Sequence, residues 1–410
     1  MILHWYIIYV LNYYKVQHIV HPYETSLNTN LAKFYIAQKS NSNFMNFTIN
    51  TTLLFSFGGN MAETKTYAQQ QNIKYAKKLN ELLKILPPFC TEYFNSLEYS
   101  KQPRTRVAYA MDIKGFFEFL ICEYPQYANY TVKDFTLADL EKLKGQDISD
   151  YLRYVKLYDK EGKEVSNSER AAKRKLCALR RFYAYYYRYE MIEENPTLKV
   201  DMPKIHDKAI TRLDVNEVAE FLDNVESGNK LSKAQLKRHE KLKTRDLALL
   251  TLMLGTGIRV SECVGLDMND VDFDNDRIKV IRKGGAESFV YFGDEVEEAL
   301  SAYMEERKEL NPKEGHENAL FLSSIGKRLC VRSVELLVKK YASTVTTVKH
   351  ITPHKLRSTY GTNLYQESKD IYLVADVLGH ADVNTTRRHY AEIVDENKRT
   401  ARNIVHLRKD

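Results

Sequence analysis

The residues best suited to chemistry lie near the C-terminus. His354 and Arg357 are three positions apart after a proline, which suits the first turn of a helix, so both side chains are predicted on one helical face. His380 follows Gly379, which is predicted to end the preceding helix in a tight turn. Tyr390 comes shortly afterwards and carries a phenol, which can act as an oxygen nucleophile. Three donors suited to a phosphate, close in sequence to such a phenol, indicate phosphoryl transfer through tyrosine.

An upstream arginine, Arg259, stands in a context that matches these residues. It follows an apolar segment that Gly255 and Gly257 are predicted to break, and it opens the next helix. Backbone N–H groups and the helix dipole favour an anion at that position. Glu262 is spaced to hold the guanidinium in place. The alternative is an ordinary ion pair between these two residues on a surface turn.

Each of these motifs, taken alone, is explained as well by a structural role as by a catalytic one. An HxxR pair on a helix is commonly structural, LGH is a common helix end, and the chain contains 29 tyrosines. The order of the motifs and their spacing is what indicates a site.

GTGIRVSE, the KGG turn, HKLR, LGH and RHY, in this order, resemble the tyrosine recombinase family of phage integrases and Xer-type recombinases. The resemblance runs from roughly Leu79 to the C-terminus. It implies a site-specific recombinase that cuts and rejoins DNA through a 3′-phosphotyrosine and a Holliday junction. The roles would be Xer-like dimer resolution or mobile-element integration and excision. The catalytic residues that it implies are Arg259, Lys283, His354, Arg357, His380 and the nucleophile Tyr390.

The resemblance also implies how these residues share the reaction. Arg259 and Arg357 would bind the non-bridging oxygens of one phosphate, and Lys283 would protonate the leaving oxygen. His354 would help to accept the tyrosine proton. No cofactor is expected, neither metal nor ATP, because cations occupy the positions where magnesium would act and no carboxylate cluster is present to hold it.

Composition sets broad limits on the protein. A chain of 410 residues is long enough for two domains with cores of their own. A net charge of +7 and a pI near 8.8 are compatible with a polyanionic partner. The five cysteines are widely spaced and form no CxxC pair, which predicts free thiols and not disulfides or a zinc site. We expect a cytoplasmic, nucleoid-associated protein.

The chain is predicted to have three parts. Residues 1–60 show no sustained periodicity and are predicted to be a non-native or disordered extension, with the natural protein beginning at Met61. Their apolar run is too short to span a bilayer. Residues 61–205 are predicted to form a helical, SAM-like domain that binds core DNA. Residues 206–410 are predicted to form the catalytic domain, after a proline-marked linker.

The fold class is predicted as mainly α, with a small antiparallel β-sheet in the catalytic domain. The 61–205 part is predicted to be all helix, including a helix at 103–124 and a long helix that follows capping signals at 166–169 and reaches about 189. The second of these is rich in basic residues. They are either a solvated face or, as the resemblance implies, a DNA-binding one. The predicted DNA contacts are Arg170, Lys173, Arg174, Arg181 and Arg188.

The catalytic part is predicted to alternate helices with one small sheet. Helices are expected at 215–225, 295–308 and 331–341, with a charged connection at 230–243. Short strands are expected at 271–273, 277–282 and 288–292, with Lys283 at the turn of the last hairpin.

The resemblance further implies binding partners, and it leaves two other functional classes open. The expected partner is a double-stranded core site with inverted repeats, bound by a homo- or hetero-tetramer tethered through the tail at 395–410. Two other classes remain open: a type IB topoisomerase, which relaxes a single duplex, and a DNA-binding protein that has lost catalysis. Within the family, a phage integrase with an additional arm-binding domain is disfavoured, because residues 1–60 lack basic character.

Overall fold

The computed structural model describes residues 65–160, 163–205, 211–282, 284–380 and 382–389. Lys283, Tyr390, the tail at 395–410 and the first sixty residues lie outside this description, so the predictions made for them stay predictions. The described residues all fall within one compact unit.

Residues 65–205 form a bundle of helices with one β-hairpin. Its core is rich in aromatic side chains, with Phe116, Phe117, Phe182 and Tyr183 almost entirely buried. Rings meet edge to face, as between Phe117 and Phe182, which is a favourable geometry for aromatic pairs. The elements are α1 (Tyr67–Leu83), α2 (Cys90–Ser96), α3 (Pro103–Glu123), α4 (Leu137–Lys142), α5 (Gly145–Tyr154), β1 (Leu157–Lys160), β2 (Lys163–Ser166) and α6 (Glu169–Arg188), with 3-10 turns at Pro125–Tyr127, Val132–Asp134 and Pro196–Lys199.

The structure confirms the long helix predicted to reach about residue 189, which is α6. Ser168 is its N-cap, and the serine side chain accepts a hydrogen bond from the backbone N–H of Ala171. The predicted apolar stripe, which includes Leu176 and Leu179, is buried against the bundle. Basic residues occupy much of the opposite face.

The prediction that this part is all helix is wrong in one place. β1 and β2 pair antiparallel, from Leu157 opposite Ser166 to Lys160 opposite Lys163. Only Glu161 and Gly162 separate the two strands in the sequence, and a two-residue loop with glycine second is typical of a tight hairpin. The antiparallel pairing of 157–160 with 163–166 therefore interrupts the helices predicted for this part.

From residue 211 onwards, helices pack around a three-stranded antiparallel sheet in the order β3-β4-β5. The predicted strands are confirmed, each within a residue or two. The elements are α7 (Val215–Ser227), α8 (Lys233–His239), α9 (Lys243–Thr256), α10 (Val260–Cys263), β3 (Val271–Asp272), β4 (Arg277–Ile281), β5 (Glu287–Tyr291), α11 (Asp294–Glu309), α12 (Val331–Ala342), α13 (Pro353–Ser368), α14 (Ile371–Val377) and α15 (Val383–His389), with 3-10 turns at Met268–Asp270 and Phe273–Asn275.

Helix α9 lies at the centre of this part and packs against α7, α11 and α13. Its residues are buried on nearly every side, which explains its almost continuous apolar sequence. The expectation that Gly255 breaks the helix is wrong. The helix continues to Thr256, and a Cβ at Gly255 would lie 2.4 Å from the Val296 side chain, so glycine here permits close packing of α11. Gly257, at φ +62°, ends the helix as predicted.

The charged connection predicted at 230–243 contains the helix α8. Ser232 and Gln235 form a capping box at its start. At its end, the His239 ring is buried and its Nδ1 lies 3.0 Å from the Tyr341 hydroxyl. The capping signal outweighed the high charge of the segment.

No helix in the described ranges is both long and apolar enough to cross a membrane.

Candidate active site

The turn after α9 places Arg259 as the N-cap residue of the short helix α10. Its Nη1 donates to Glu262 Oε1 at 2.8 Å, which confirms that Glu262 holds this guanidinium. The backbone N–H of Arg259 donates to the other Glu262 oxygen at 3.1 Å. This N–H is therefore engaged by the protein's own carboxylate, and the anion predicted for the helix start would have to bind the side chain instead.

Arg357 lies near the start of α13 and donates hydrogen bonds to two turns outside that helix. It is 7% exposed, its Nη1 donates to the Gly257 carbonyl at 2.6 Å, and its Nη2 donates to the Leu378 carbonyl. One planar guanidinium thus joins the turn that carries Arg259 to the turn that carries His380. Such a fixed fork of donors limits where the rest of the guanidinium can point.

The turn at Gly379 brings His380 beside these arginines. Gly379 has φ +60°, and its carbonyl accepts a hydrogen bond from Arg259 Nη2 at 3.0 Å. The backbone N–H of His380 donates to the Ala375 carbonyl at 2.9 Å, which closes the end of α14. The His380 ring is fixed by Thr386, whose buried hydroxyl lies 2.7 Å from Nδ1.

His354 lies on the same helix as Arg357, one turn earlier. Partial burial of the ring lowers the pKa of His354, and the nearby cations of Arg357, Arg259 and Lys355 lower it further. This lowering of the His354 pKa favours the neutral imidazole, the form that can accept a proton.

A titration of the free protein tests this electrostatic environment. We expect the His354 ring, assigned by comparing wild-type and His354→Gln NMR spectra, to titrate below the ordinary value of about 6.5. Because the folded pKa is the lower one, the unfolded chain takes up this proton first. The stability that wild type has relative to His354→Gln should therefore fall as the pH drops from about 6.5 towards the folded pKa. A midpoint at or above 6.5 would contradict the expectation.

These side chains line one cavity of about 330 Å³. Four of the six predicted catalytic residues contribute to it, and a predicted DNA-binding residue from α6, Arg170, joins them. Larger cavities lie elsewhere, one of about 500 Å³ beside Tyr124 and one of about 580 Å³ beside Tyr303, but neither is lined by a predicted site residue. The residues of the 330 Å³ cavity are Arg170, Arg259, His354, Lys355, Arg357, Ser358, Leu378 and His380.

The other predicted DNA-binding residues are spread along α6. Arg174 forms an ion pair with the buried Asp112, so it also neutralises a carboxylate within the bundle. Arg181 and Arg188 are exposed, and the Arg188 guanidinium lies 5.8 Å from the Tyr189 ring centre. Lys173 is half-buried.

Three residues at the site were missed by the sequence analysis. Lys355 and Ser358 line the cavity from within the HxxR helix, where the sequence offered the signal of helical neighbours. Thr386 positions His380 from six residues away, and no local pattern marked it. Among the described residues, no group of three or more His, Cys, Asp or Glu side chains is arranged to hold a metal ion.

Comparisons with known proteins identify the family of the chain. Residues 211–397 match the phage integrase family. Tyrosine recombinase XerC of Caldanaerobacter subterraneus subsp. tengcongensis is 32% identical over 327 residues, covering 77% of this chain and 86% of that protein. Tyrosine recombinase XerS of Streptococcus mutans is 32% identical over 352 residues, covering 79% and 97%.

Two solved structures share the fold. The XerH site-specific recombinase bound to palindromic difH, in a post-cleavage complex, has a TM-score of 0.53 at 20% identity, covering 70% of this chain and 75% of that one. A lambda integrase dimer bound to a COC′ core site has a TM-score of 0.52 at 17% identity, covering 72% and 94%.

The family match and the sequence relatives define an enzyme that cleaves and rejoins DNA strands. The chain belongs to the tyrosine recombinases of the phage integrase family, and its activity is site-specific DNA recombination.

Proposed function

We propose that this recombinase cleaves DNA by attack of Tyr390 on a phosphodiester held in the 330 Å³ cavity. The observation that carries the proposal is the convergence of Arg259, Arg357, His354 and His380 on that one cavity. The space is lined by cationic and hydrogen-bonding side chains, as a phosphate requires.

The bond changes balance without any other reactant. The phenolic oxygen of Tyr390 forms a bond to phosphorus, and the bond from phosphorus to the 5′ oxygen breaks. The phenol loses its proton to His354 or to water, and Lys283 supplies a proton to the departing 5′ oxygen. The products are a 3′-phosphotyrosine and a free 5′-hydroxyl. Because one phosphate ester replaces another, the reverse attack rejoins a strand without ATP.

The arginines stabilise the phosphate as its geometry changes. A guanidinium keeps its charge at any relevant pH and offers paired donors to the non-bridging oxygens. In this protein the carbonyls of Gly257, Leu378 and Gly379 hold the two guanidinium groups before DNA arrives. Little reorganisation is then needed during the reaction, which is the condition under which such groups contribute most to catalysis.

We further propose that the two parts of the chain grip DNA from opposite faces, with residues 61–205 on one side and 206–410 on the other. The position of Arg170 supports this arrangement, since it comes from α6 and still lines the catalytic cavity. The substrate is a double-stranded core site with inverted repeats. Four protomers, tethered through the tail at 395–410, exchange strands through a Holliday junction.

We propose an Xer-like biological role. The two sequence relatives described above are the tyrosine recombinases XerC and XerS, which supports dimer resolution over integration of a mobile element. The structural likeness to a lambda integrase keeps integration and excision as the alternative.

Covalent trapping tests the proposal. The protein is incubated with fragments of host genomic DNA in the presence of EDTA and without ATP, the reaction is stopped with SDS, and the attached DNA is sequenced. We expect covalent complexes that share one sequence with inverted repeats. Complexes spread over unrelated sequences, together with relaxation of plasmids that lack the site, would indicate a topoisomerase. A complete absence of complexes would contradict the proposed cleavage.

A further inference from the structure

Arg282, the last residue before the hairpin turn that follows β4, contacts the site but has no role in the chemistry above. Its side chain is 14% exposed and reaches back towards the α10 turn. Its Nη1 lies 3.3 Å from Glu262 Oε2, the oxygen that also accepts the backbone N–H of Arg259.

Glu262 is therefore a buried carboxylate between two guanidinium groups. Its side chain is 4% exposed, one oxygen accepts from Arg259 Nη1, and the other accepts from Arg282. A buried carboxylate is stable only when it is fully paired. Arg282 supplies the second cation and contacts the Glu262 oxygen that the Arg259 guanidinium does not.

Arg282 also supports the turn that carries His380. Its Nη2 lies 3.5 Å from the Val377 carbonyl, at the end of α14. Its guanidinium packs against Gly379 so closely that a Cβ on that glycine would lie 2.9 Å from Arg282 Cζ. The same turn provides the Gly379 carbonyl that accepts from Arg259 Nη2.

The backbone of Arg282 closes the hairpin from which this side chain extends. Its N–H donates to the Ala286 carbonyl at 2.8 Å, and its carbonyl accepts from the Gly285 N–H at 3.0 Å. Gly284 and Gly285 have φ +105° and +93°, values that glycine adopts without strain. These hydrogen bonds hold the backbone of Arg282, from which the side chain extends, in place.

We propose that Arg282 is a positioning residue, which sets the direction of the Arg259 guanidinium through Glu262 and through the Gly379 turn. The inference rests on the proposed cleavage reaction, in which Arg259 binds the non-bridging oxygens of the scissile phosphate. Arg282 itself does not touch the phosphate. Its effect on the reaction is transmitted by the placement of Arg259.

The test compares two substrates that differ only at the scissile phosphate. One is a duplex of the sequence recovered by covalent trapping, and the other carries a methylphosphonate in place of the scissile phosphodiester. The methyl group removes the negative charge of a non-bridging oxygen, so a well-placed guanidinium matters less. The measurement is the rate of covalent complex formation in a single turnover, with DNA affinity measured separately.

We expect Arg282→Met to cleave the phosphodiester about 10- to 100-fold more slowly than wild type, the loss typical for one charged hydrogen bond. On the methylphosphonate the loss should shrink to a few-fold, and DNA affinity should change little. Arg282→Lys, which keeps a cation beside Glu262, should recover part of the rate. Arg277→Met is the matched control, because Arg277 begins β4, the strand that leads to Arg282, and pairs with Asp272 away from the cavity, and it should behave as wild type.

Three results would overturn the inference. An unchanged rate for Arg282→Met would show that the contacts are dispensable. Equal losses on both substrates would indicate general structural damage. Recovery on a bridging 5′-phosphorothiolate, whose thiolate leaving group needs no proton, would assign the effect to the neighbouring Lys283. Should Arg282→Met fail to fold, Arg282→Lys is assayed on the same pair of substrates, and the same criteria decide. Failure of wild type to form any complex would instead contradict the proposed function.

Discussion

Replacement of Tyr390 by phenylalanine is expected to abolish covalent attachment to DNA while leaving DNA binding intact. The substitution removes only the hydroxyl oxygen, the atom proposed to bond to phosphorus, so no strand can be transferred to the protein. The residues proposed to hold the phosphate are untouched. The measurement pairs SDS-resistant complex formation with a mobility-shift titration on the same duplex, and wild type and Tyr390→Phe should differ only in the first.

The abundance of tyrosine makes a control necessary, since the chain has 29 of them. Tyr360, whose ring packs against Gly257 near the cavity, has its pKa raised by burial, which disfavours a phenolate there. Tyr372 is the better control, because it is 71% exposed on α14, the helix that ends at the His380 turn. Tyr372→Phe should form complexes as wild type does. If covalent attachment survived in Tyr390→Phe and disappeared in Tyr372→Phe, the nucleophile would be Tyr372, and the proposed role of Tyr390 would be wrong.

The long elements could be predicted from the sequence because their patterns extend over many residues. α3 and α6 each repeat apolar positions over several turns, and their predicted limits agree with the structure to within one or two residues. The short elements could not be predicted in this way. The β1–β2 hairpin and α8 depend on a few turn and cap residues in segments dominated by charge.

The residues of the candidate site were predicted from the order of the motifs, but of the contacts that hold them in place only one was predicted. The sequence indicated that Glu262 holds Arg259, because the two residues are one helical turn apart. The contacts of Arg282 with Glu262 and of Arg357 with Gly257 join residues far apart in the sequence. Only the packing of α9, α13 and the hairpin brings such residues together. Arg174 shows the opposite case, since a basic residue assigned to DNA also pairs with a buried carboxylate of its own bundle.

Arg357 is the residue whose loss should affect both catalysis and stability. Arg357→Ala removes a proposed phosphate ligand, and loss of one such donor typically slows reaction about 100- to 1000-fold. The same substitution removes the donor that the Gly257 and Leu378 carbonyls share. Hydrogen bonds from charged groups contribute about 1.5 to 3 kcal/mol each when buried. The two bonds belong to one guanidinium and are not additive, so we expect the free energy of unfolding to fall by roughly 2 to 4 kcal/mol, less than their sum.

The two effects can be separated with a conservative variant and a surface control. Arg357→Lys keeps the charge, but one ammonium cannot span both turns as the planar guanidinium does, so we expect partial stability and a cleavage rate still far below that of wild type. Arg332→Ala removes an arginine whose side chain is 74% exposed and forms an ion pair with Glu335, and the unfolding free energy of this variant should stay within about 0.5 kcal/mol of wild type. The measurements are urea denaturation followed by circular dichroism, and single-turnover cleavage. If Arg357→Ala lost cleavage but kept the stability of wild type, Arg357 would act on the phosphate alone, and the two turns would be held together by other contacts.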